Sequence, residues 1–241
     1  MQFACSPTTA LMQLAIIIPT LNEETGVQRS LAELGPLRAR GVRVVVADGG
    51  SADQTVARAA PLVDRVISVP RGRALQMNAG ARTAEAQSAD VLLFLHADTV
   101  LPDDADRVIL RALANSNRVW GRFDITIDGR SAWLPVVALL MNLRSRLTGI
   151  ATGDQAIFVE RSTFVALEGF APIPLMEDIE FCARAKRLSP PLALRDRVRT
   201  SGRRWDKDGV WRSVFLMWRL RWAYYFGADP ADLAQRYRDS R

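Results

Sequence analysis

Short apolar runs alternate with helically spaced apolar positions over the first half of the chain. Leu14 to Ile18 is a continuous buried-strand pattern that stops at Pro19. From Glu23 to Arg40 the apolar positions Val27, Leu31 and Leu34 recur at helical spacing, and Gly41 closes the segment. Val42 to Ala47 is a second strand that ends on Asp48. A helix over Ala52 to Ala60, a strand over Arg65 to Val69 and a helix over Arg73 to Gln87 follow. A strand over Val91 to Leu95 and a helix over Asp103 to Ala114 complete this half. Strands that are apolar throughout, separated by helices, predict an α/β fold with a parallel sheet covered on both faces. Beyond Asn115 the rhythm changes. Arg118 to Ile127 alternates as a strand of a mixed sheet does, and Ala132 to Leu143 is apolar without a clear period. Gln155 to Val159 predicts a strand and Glu177 to Arg187 a helix, while Val210 to Tyr225 predicts a helix rich in aromatics and arginine. No repeat or linker interrupts the chain, so the expectation is one domain over 1–241. Residues 14–115 would form a nucleotide-binding half, 116–205 an acceptor half and 206–241 a C-terminal helical segment.

Ligands of such sheets bind at the carboxyl ends of the strands, which directs attention to Thr20–Glu23, Asp48–Ser51, Pro70–Arg73 and His96–Thr99. Asp48-Gly49-Gly50-Ser51 offers an acid to a ribose hydroxyl or a base N–H, with glycines that let a ligand approach the backbone. A capping box through Ser51 and Gln54 explains the same residues. Asp98, leaving the end of a buried strand, suits a hard cation that bridges a diphosphate; a turn carboxylate is the alternative. His96 suits a place beside such an ion or facing substrate better than direct ligation. In Glu177-Asp178, a carboxylate could act as general base on a hydroxyl or simply favour a helix start. The basic run Arg197 to Trp205 either forks onto phosphate or is a solvated loop.

Composition narrows the classes. At 49% hydrophobic and 24% charged residues the chain is globular. Of 32 basic residues only Lys186 and Lys207 are lysines, leaving 32 − 2 = 30 arginines and a net charge of +6. Two cysteines, Cys5 and Cys182, exclude a disulfide framework and fit a reducing compartment. The single histidine, His96, excludes a multi-histidine metal site. No charged-then-apolar leader opens the chain, and no apolar run reaches the roughly 18–20 residues of a membrane span. Action in the cytoplasm is expected, in solution or peripherally at the inner membrane surface.

Taken in order, Ile16-Ile17-Ile18-Pro19-Thr20-Leu21-Asn22-Glu23-Glu24, Asp48 to Thr55, His96-Ala97-Asp98, Glu177-Asp178 and Arg203-Arg204-Trp205 resemble the family 2 glycosyltransferases of the GT-A fold. Arg71 to Ala81 together with Phe94 to Thr99 resembles a subgroup labelled arsenosugar-biosynthesis glycosyltransferases. The resemblance implies a Rossmann-type mixed, mostly parallel sheet flanked by helices. It also implies an inverting enzyme that moves one sugar from a UDP, GDP or dTDP sugar to a hydroxyl acceptor, lipids included. Pro19, Thr20 and Glu23 would line the nucleoside pocket, with Asp48 on the base or ribose and Arg73 near the base or phosphates. Asp98 would hold Mg²⁺ or Mn²⁺, with His96 and Glu177 beside the substrates and Asp178 as the base. Arg204 and Trp205 would shape the acceptor and diphosphate side. Two positions depart from the family pattern: His96 replaces the usual first acid of the metal motif, and Ser201 replaces the Gln or Arg three residues before Arg204. The rival readings are a nucleotidyltransferase, whose lysine-bearing N-terminal loop is missing, and a degenerate nucleotide-sugar binding module. Nucleic acid is not an expected partner. The aromatic, arginine-bearing segment Val210 to Phe226 either packs on the core or lies in a membrane interface.

Overall fold

The computed structural model describes residues 12–239, the side chain of Arg204 excepted; Cys5 and the remaining N-terminal residues lie outside the described part. Eight strands form one sheet. They are β1 (Leu14–Thr20), β2 (Arg43–Asp48), β3 (Arg65–Ser68), β4 (Val91–Phe94), β5 (Thr99–Val100), β6 (Trp120–Asp128), β7 (Ile157–Glu160) and β8 (Leu192–Ser201). Their order across the sheet is β3-β2-β1-β4-β7-β6-β8-β5. Parallel pairs join β3, β2, β1 and β4, and β6 to β8. Strand β7 runs antiparallel to both β4 and β6, and β5 antiparallel to β8. The sheet is therefore mixed and mostly parallel, and it passes without a break from the first half of the chain into the second.

Period-two alternation distributes the core between two faces. On one side Leu14, Ile16, Ile18, Val44 and Val46 meet α1 (Val27–Ala32), α6 (Ala105–Ala114) and α7 (Leu134–Thr148). On the other, Ala15, Ile17, Leu92 and Phe94 meet α4 (Arg73–Ala81), α5 (Ala84–Gln87) and α9 (Glu177–Leu188), with Phe164 of α8 (Arg161–Ala166). Helix α4 lies close on β1: a Cβ on Gly80 would stand 2.5 Å from the Ile17 methyl. A third cluster ties Met176 to Leu220 of α11 (Val210–Tyr225) and Leu233 of α12 (Pro230–Asp239). None of the described helices is long and apolar enough to cross a membrane.

Several boundaries differ from the expectation. The helix expected over Glu23 to Arg40 is two, α1 and α2 (Gly35–Ala39), because the chain turns through Glu33 and Leu34 to place Pro36 in a new first turn. The helix expected over Arg73 to Gln87 divides at Thr83, whose hydroxyl caps α5 by accepting from the Ala86 N–H. Between β2 and β3, α3 spans Thr55–Ala59. The apolar stretch from Ala132 resolves as α7. The basic run from Arg197 is not a loop. It is the end of β8, where buried Val198 and Thr200 alternate with exposed Arg197 and Arg199, followed by α10 (Arg203–Asp208).

Candidate active site

Three neighbouring strand ends build one wall. The Asp48 carboxylate, at the end of β2, is buried and accepts from the Thr20 hydroxyl at 3.1 Å and from the N–H groups of Gly50 and Ser51 at 2.9 and 2.8 Å. It therefore fastens its own loop to the end of β1. Gln76 of α4 strengthens the join by donating from Nε2 to the carbonyls of both Thr20 and Ala47, each at 2.8 Å. The loop after β1 locks to the loop after β2 reciprocally. Asn22 N–H donates to Ser51 Oγ and Asn22 Oδ1 accepts from Ala52 N–H, while the Glu23 and Glu24 N–H groups donate to Thr55 Oγ1 and Asp53. Pro19 is half-buried beside Ala47. The Glu23 side chain reaches outward, 3.3 Å from the Arg203 guanidinium. Burial raises its carboxyl above the usual range, with Arg203 opposing and Asp98 and Asp53 assisting.

Asp98 joins this wall through strand pairing. Thr99 and Val100 pair with Thr200 and Arg199, and Ser201 N–H donates to the Asp98 carbonyl at 3.1 Å. Two motifs a hundred residues apart are thus brought side by side, and Arg203 leaves β8 towards Glu23. Arg204 lies in α10, its side chain outside the described residues, and Trp205 is half-buried against the larger core.

The second wall is the start of α9. Asp178 accepts from Gly153 N–H at 2.9 Å and from Ile179 N–H at 2.7 Å, so both oxygens of its carboxylate are oriented by backbone donors. Glu177 beside it is buried and pairs with the Arg73 guanidinium at 3.3 Å. Burial raises the Glu177 carboxyl, with Arg73 opposing and Asp178 assisting. For Arg73 burial works downward, yet Glu177, Asp178 and Asp154 outweigh it and hold the guanidinium above its usual range. His96 closes the gap between the walls: Nδ1 stands 3.0 Å from Asp154 Oδ1, and Nε2 is buried without a hydrogen-bond partner against Gly153. Arg73, Met77, Phe94, His96, Gly153, Phe170, Glu177 and Asp178 line a small cleft here.

Asn22, Ala156 and Met176 are non-glycine residues in the left-handed region, at φ 53°, 48° and 70°. All three lie in the loops that carry these walls, where backbone strain typically accumulates.

Among the described residues no group of three or more His, Cys, Asp or Glu could hold a metal ion alone. Asp98, with Glu23 in its field, instead fits a hard cation of the Mg²⁺ type. Such ions take one or two protein carboxylates and fill the remaining positions with substrate phosphates and water. His96, turned to Asp154, stands beside that position.

Sequence reasoning alone did not single out Gly153, Asp154 or Gln76, nor Arg144 and Arg221. A glycine and an acid just ahead of β7 were the one available sign, and nothing in their spacing set them apart.

A mixed, mostly parallel sheet flanked by helices on both faces is the GT-A glycosyltransferase architecture. The profile of glycosyl transferase family 2 matches residues 15–166, and the chain belongs to that family. Among solved structures it is similar to S. aureus TarS 1–349 in complex with UDP-GlcNAc, at 18% identity and TM-score 0.63, over 80% of this chain and 59% of that one. It is also similar to a Pyrobaculum calidifontis mannosyltransferase in complex with GDP-Man and Mn²⁺, at 18% identity and TM-score 0.63, over 89% and 62% of the two chains. A third is Mycobacterium tuberculosis glucosyl-3-phosphoglycerate synthase with Mn²⁺, UDP and glucosyl-3-phosphoglycerate, at 21% identity and TM-score 0.55, over 77% and 70%. The chain spans about three fifths of TarS 1–349, 61% and 59% in two of its structures, and 40% of the longer TarS chain. No curated protein matches it.

Proposed function

We propose that this protein is an inverting glycosyltransferase that moves a single sugar from a nucleoside-diphosphate sugar to a hydroxyl acceptor. The observation that carries the reading is the placing of Asp178. Two backbone N–H groups hold its carboxylate at a cleft, while the loops of Thr20, Asp48 and Asp98 form the other wall. A hydroxyl entering between the walls gives its proton to Asp178 as its oxygen attacks the anomeric carbon, and the nucleoside diphosphate leaves from the opposite side. One displacement inverts the centre. General-base assistance of this kind contributes typically about 10²- to 10⁴-fold.

Pro19, Thr20 and Glu23 border the nucleoside position, and Asp48 shapes it through the loop it fastens. Arg73, His96 and Glu177 face the transferring sugar, with Arg204 and Trp205 on the diphosphate side. Asp98 would hold Mg²⁺ or Mn²⁺, which would supply neutralisation of the leaving group's charge. The UDP, UDP-GlcNAc and GDP-Man complexes of the similar structures support a nucleotide-sugar donor, with UDP, GDP and dTDP the bases to test. A hexose is the sugar class to test first, and single-sugar transfer is consistent with the subgroup labelled arsenosugar-biosynthesis glycosyltransferases that Arg71 to Ala81 with Phe94 to Thr99 resembles.

A membrane surface is part of the proposal. Helices α7 and α11 expose Leu139, Leu140, Leu147, Trp218, Trp222 and Phe226, each more than half accessible. Exposed apolar surface on this scale, with Arg212 and Arg219 beside it, suits peripheral contact with an anionic bilayer on the cytoplasmic side.

Thermal unfolding with UDP-, GDP- and dTDP-sugars, each with and without Mn²⁺ or Mg²⁺, tests the donor site. At 100 times its dissociation constant a ligand stabilises by about 2.7 kcal/mol. Wild type should shift with one nucleotide class, and Asp98→Ala should lose the metal-dependent part. Failure of every nucleotide sugar to shift a folded protein would refute the reading and favour a binding module without transferase activity.

A further inference from the structure

Buried arginine N–H groups almost always find an acceptor, because desolvating them unpaired costs free energy. Among the described residues three arginines carry such unpartnered groups; Arg122 is already paired with Asp124, and the other two lie on α7 and α11. Arg144, on α7, has both Nε and Nη2 buried without a hydrogen-bond partner, and Arg221, on α11, has its Nε in the same condition. The two helices begin beside one another. Trp133, just ahead of α7, meets Trp211 in the first turn of α11 with ring centroids 5.3 Å apart; about three turns further along each helix stand the two arginines. Their like charges repel. Burial, with Arg221 assisting and Asp178 opposing, pushes the Arg144 guanidinium down to about 10. Burial lowers Arg221 as well, against Asp178 and Asp154.

The place of this pair follows from its neighbours. Asp178 acts electrostatically on both arginines, and Leu220, adjacent to Arg221, packs with Met176 just ahead of α9. The groups at the donor loops are different ones: Glu23 responds to Arg203, Asp98 and Asp53, whereas Asp178 is the carboxylate common to Arg144 and Arg221.

We propose that Arg144 and Arg221 form a subsite for a phosphate group carried by the acceptor, holding the acceptor so that its hydroxyl meets Asp178. The word acceptor rests on the transferase reading; the phosphate subsite does not. Two guanidinium charges whose donors come from two helices suit a tetrahedral phosphate monoester, with three free oxygens and up to two negative charges, better than a planar carboxylate with one. The phosphate could belong to a soluble phosphorylated compound or to a lipid whose chains lie along the exposed apolar face of α7 and α11.

The test compares wild type with Arg144→Met, Arg221→Met and the double variant by thermal unfolding. The probes are inorganic phosphate, glycerol 3-phosphate, and phosphatidylcholine vesicles with and without phosphatidic acid. Without ligand the variants should melt at or above the wild-type temperature, since unpaired buried charge has been removed. Each single substitution should weaken phosphate binding about tenfold or more, while nucleotide-sugar binding with Mn²⁺ persists. Should a methionine variant not fold, Arg144→Lys keeps the charge, loses the fork and should still weaken phosphate measurably. Equal phosphate affinity in wild type and variants, or none in either, overturns the proposal. Joint loss of phosphate and nucleotide binding also overturns it, by assigning the arginines to the donor. Phosphate binding that depends on the arginines in a protein that binds no nucleotide sugar leaves the subsite standing and removes the transferase reading instead. Preference for phosphatidic-acid vesicles over glycerol 3-phosphate identifies the lipid source, and the reverse identifies the soluble one.

Discussion

Replacing Gly153 by alanine adds one methyl group where the two walls of the site meet. Gly153 is not in the left-handed region, so its backbone accepts alanine and the whole effect is steric. The new Cβ would overlap His96 Nε2 and stand 2.6 Å from Cε1. The imidazole cannot swing aside cheaply, because its side chain is only 15% exposed and Nδ1 is held 3.0 Å from Asp154. Overpacking of this kind costs about 1–3 kcal/mol. At about 2–4 °C per kcal/mol for a chain of this size, Gly153→Ala should melt roughly 2–12 °C below wild type. His96→Ala empties the space the methyl needs, at the cost of the Asp154 contact. The double variant should then lose less than the sum of the two single changes, with a coupling of about 1–3 kcal/mol. Four proteins in a thermal or urea unfolding series measure this directly. Additive effects within about 0.5 kcal/mol would refute the argument, because they would mean that the ring and the glycine do not compete for one volume. The same displacement moves the N–H that orients Asp178, and a misplacement of about 1 Å can cost on the order of 10²-fold in rate.

Asp178→Asn should lower turnover about 10²- to 10⁴-fold while nucleotide affinity, read by the same thermal shift, stays near wild type; near-normal turnover would remove Asp178 from the mechanism. Glu23→Gln should melt higher than wild type at pH 7. The folded chain raises the Glu23 carboxyl above 4.5 and so holds its proton more tightly than the unfolded chain, making the charged group a cost to stability as pH rises above 4.5. The gain should fade as pH falls through 4.5, and a gain that grew in acid would contradict the burial argument. Trp218→Glu should abolish flotation with anionic vesicles at low salt, and wild type that fails to float would exclude the membrane contact.

Much of the donor half was legible because its strands are uninterrupted apolar runs with acids at their ends: Leu14 to Ile18, Val42 to Ala47 and Val91 to Leu95 lead directly to Thr20, Asp48 and Asp98. The other wall was legible only at Glu177 and Asp178, which open a helix of clear period. Strand β8 was hidden because exposed arginines alternate with Val198 and Thr200, so charge masked a strand period. Helix α12 has Leu233, Ala234 and Tyr237 on one face, but its apolar signal is short and ends among arginines. Gln76 sits within a helix like any surface glutamine, and only the fold shows its amide reaching two strand ends. Arg144 and Arg221 are two of thirty arginines, and spacing does not report that their buried N–H groups lack acceptors. Asp154 lies in the 3₁₀ turn Gly153–Gln155, whose role depends on a histidine far away in sequence.

The left-handed residues Asn22, Ala156 and Met176 have a consequence for anyone engineering this protein. Glycine relieves the backbone penalty of a positive φ, so a redesign guided by melting temperature alone would choose these three positions early. Yet Asn22 also ties the first two loops together through its side chain, and Met176 is the residue on which α11 is seated. Such substitutions would loosen the joints that set the spacing between donor and acceptor, so a more heat-resistant variant obtained this way should be a poorer catalyst.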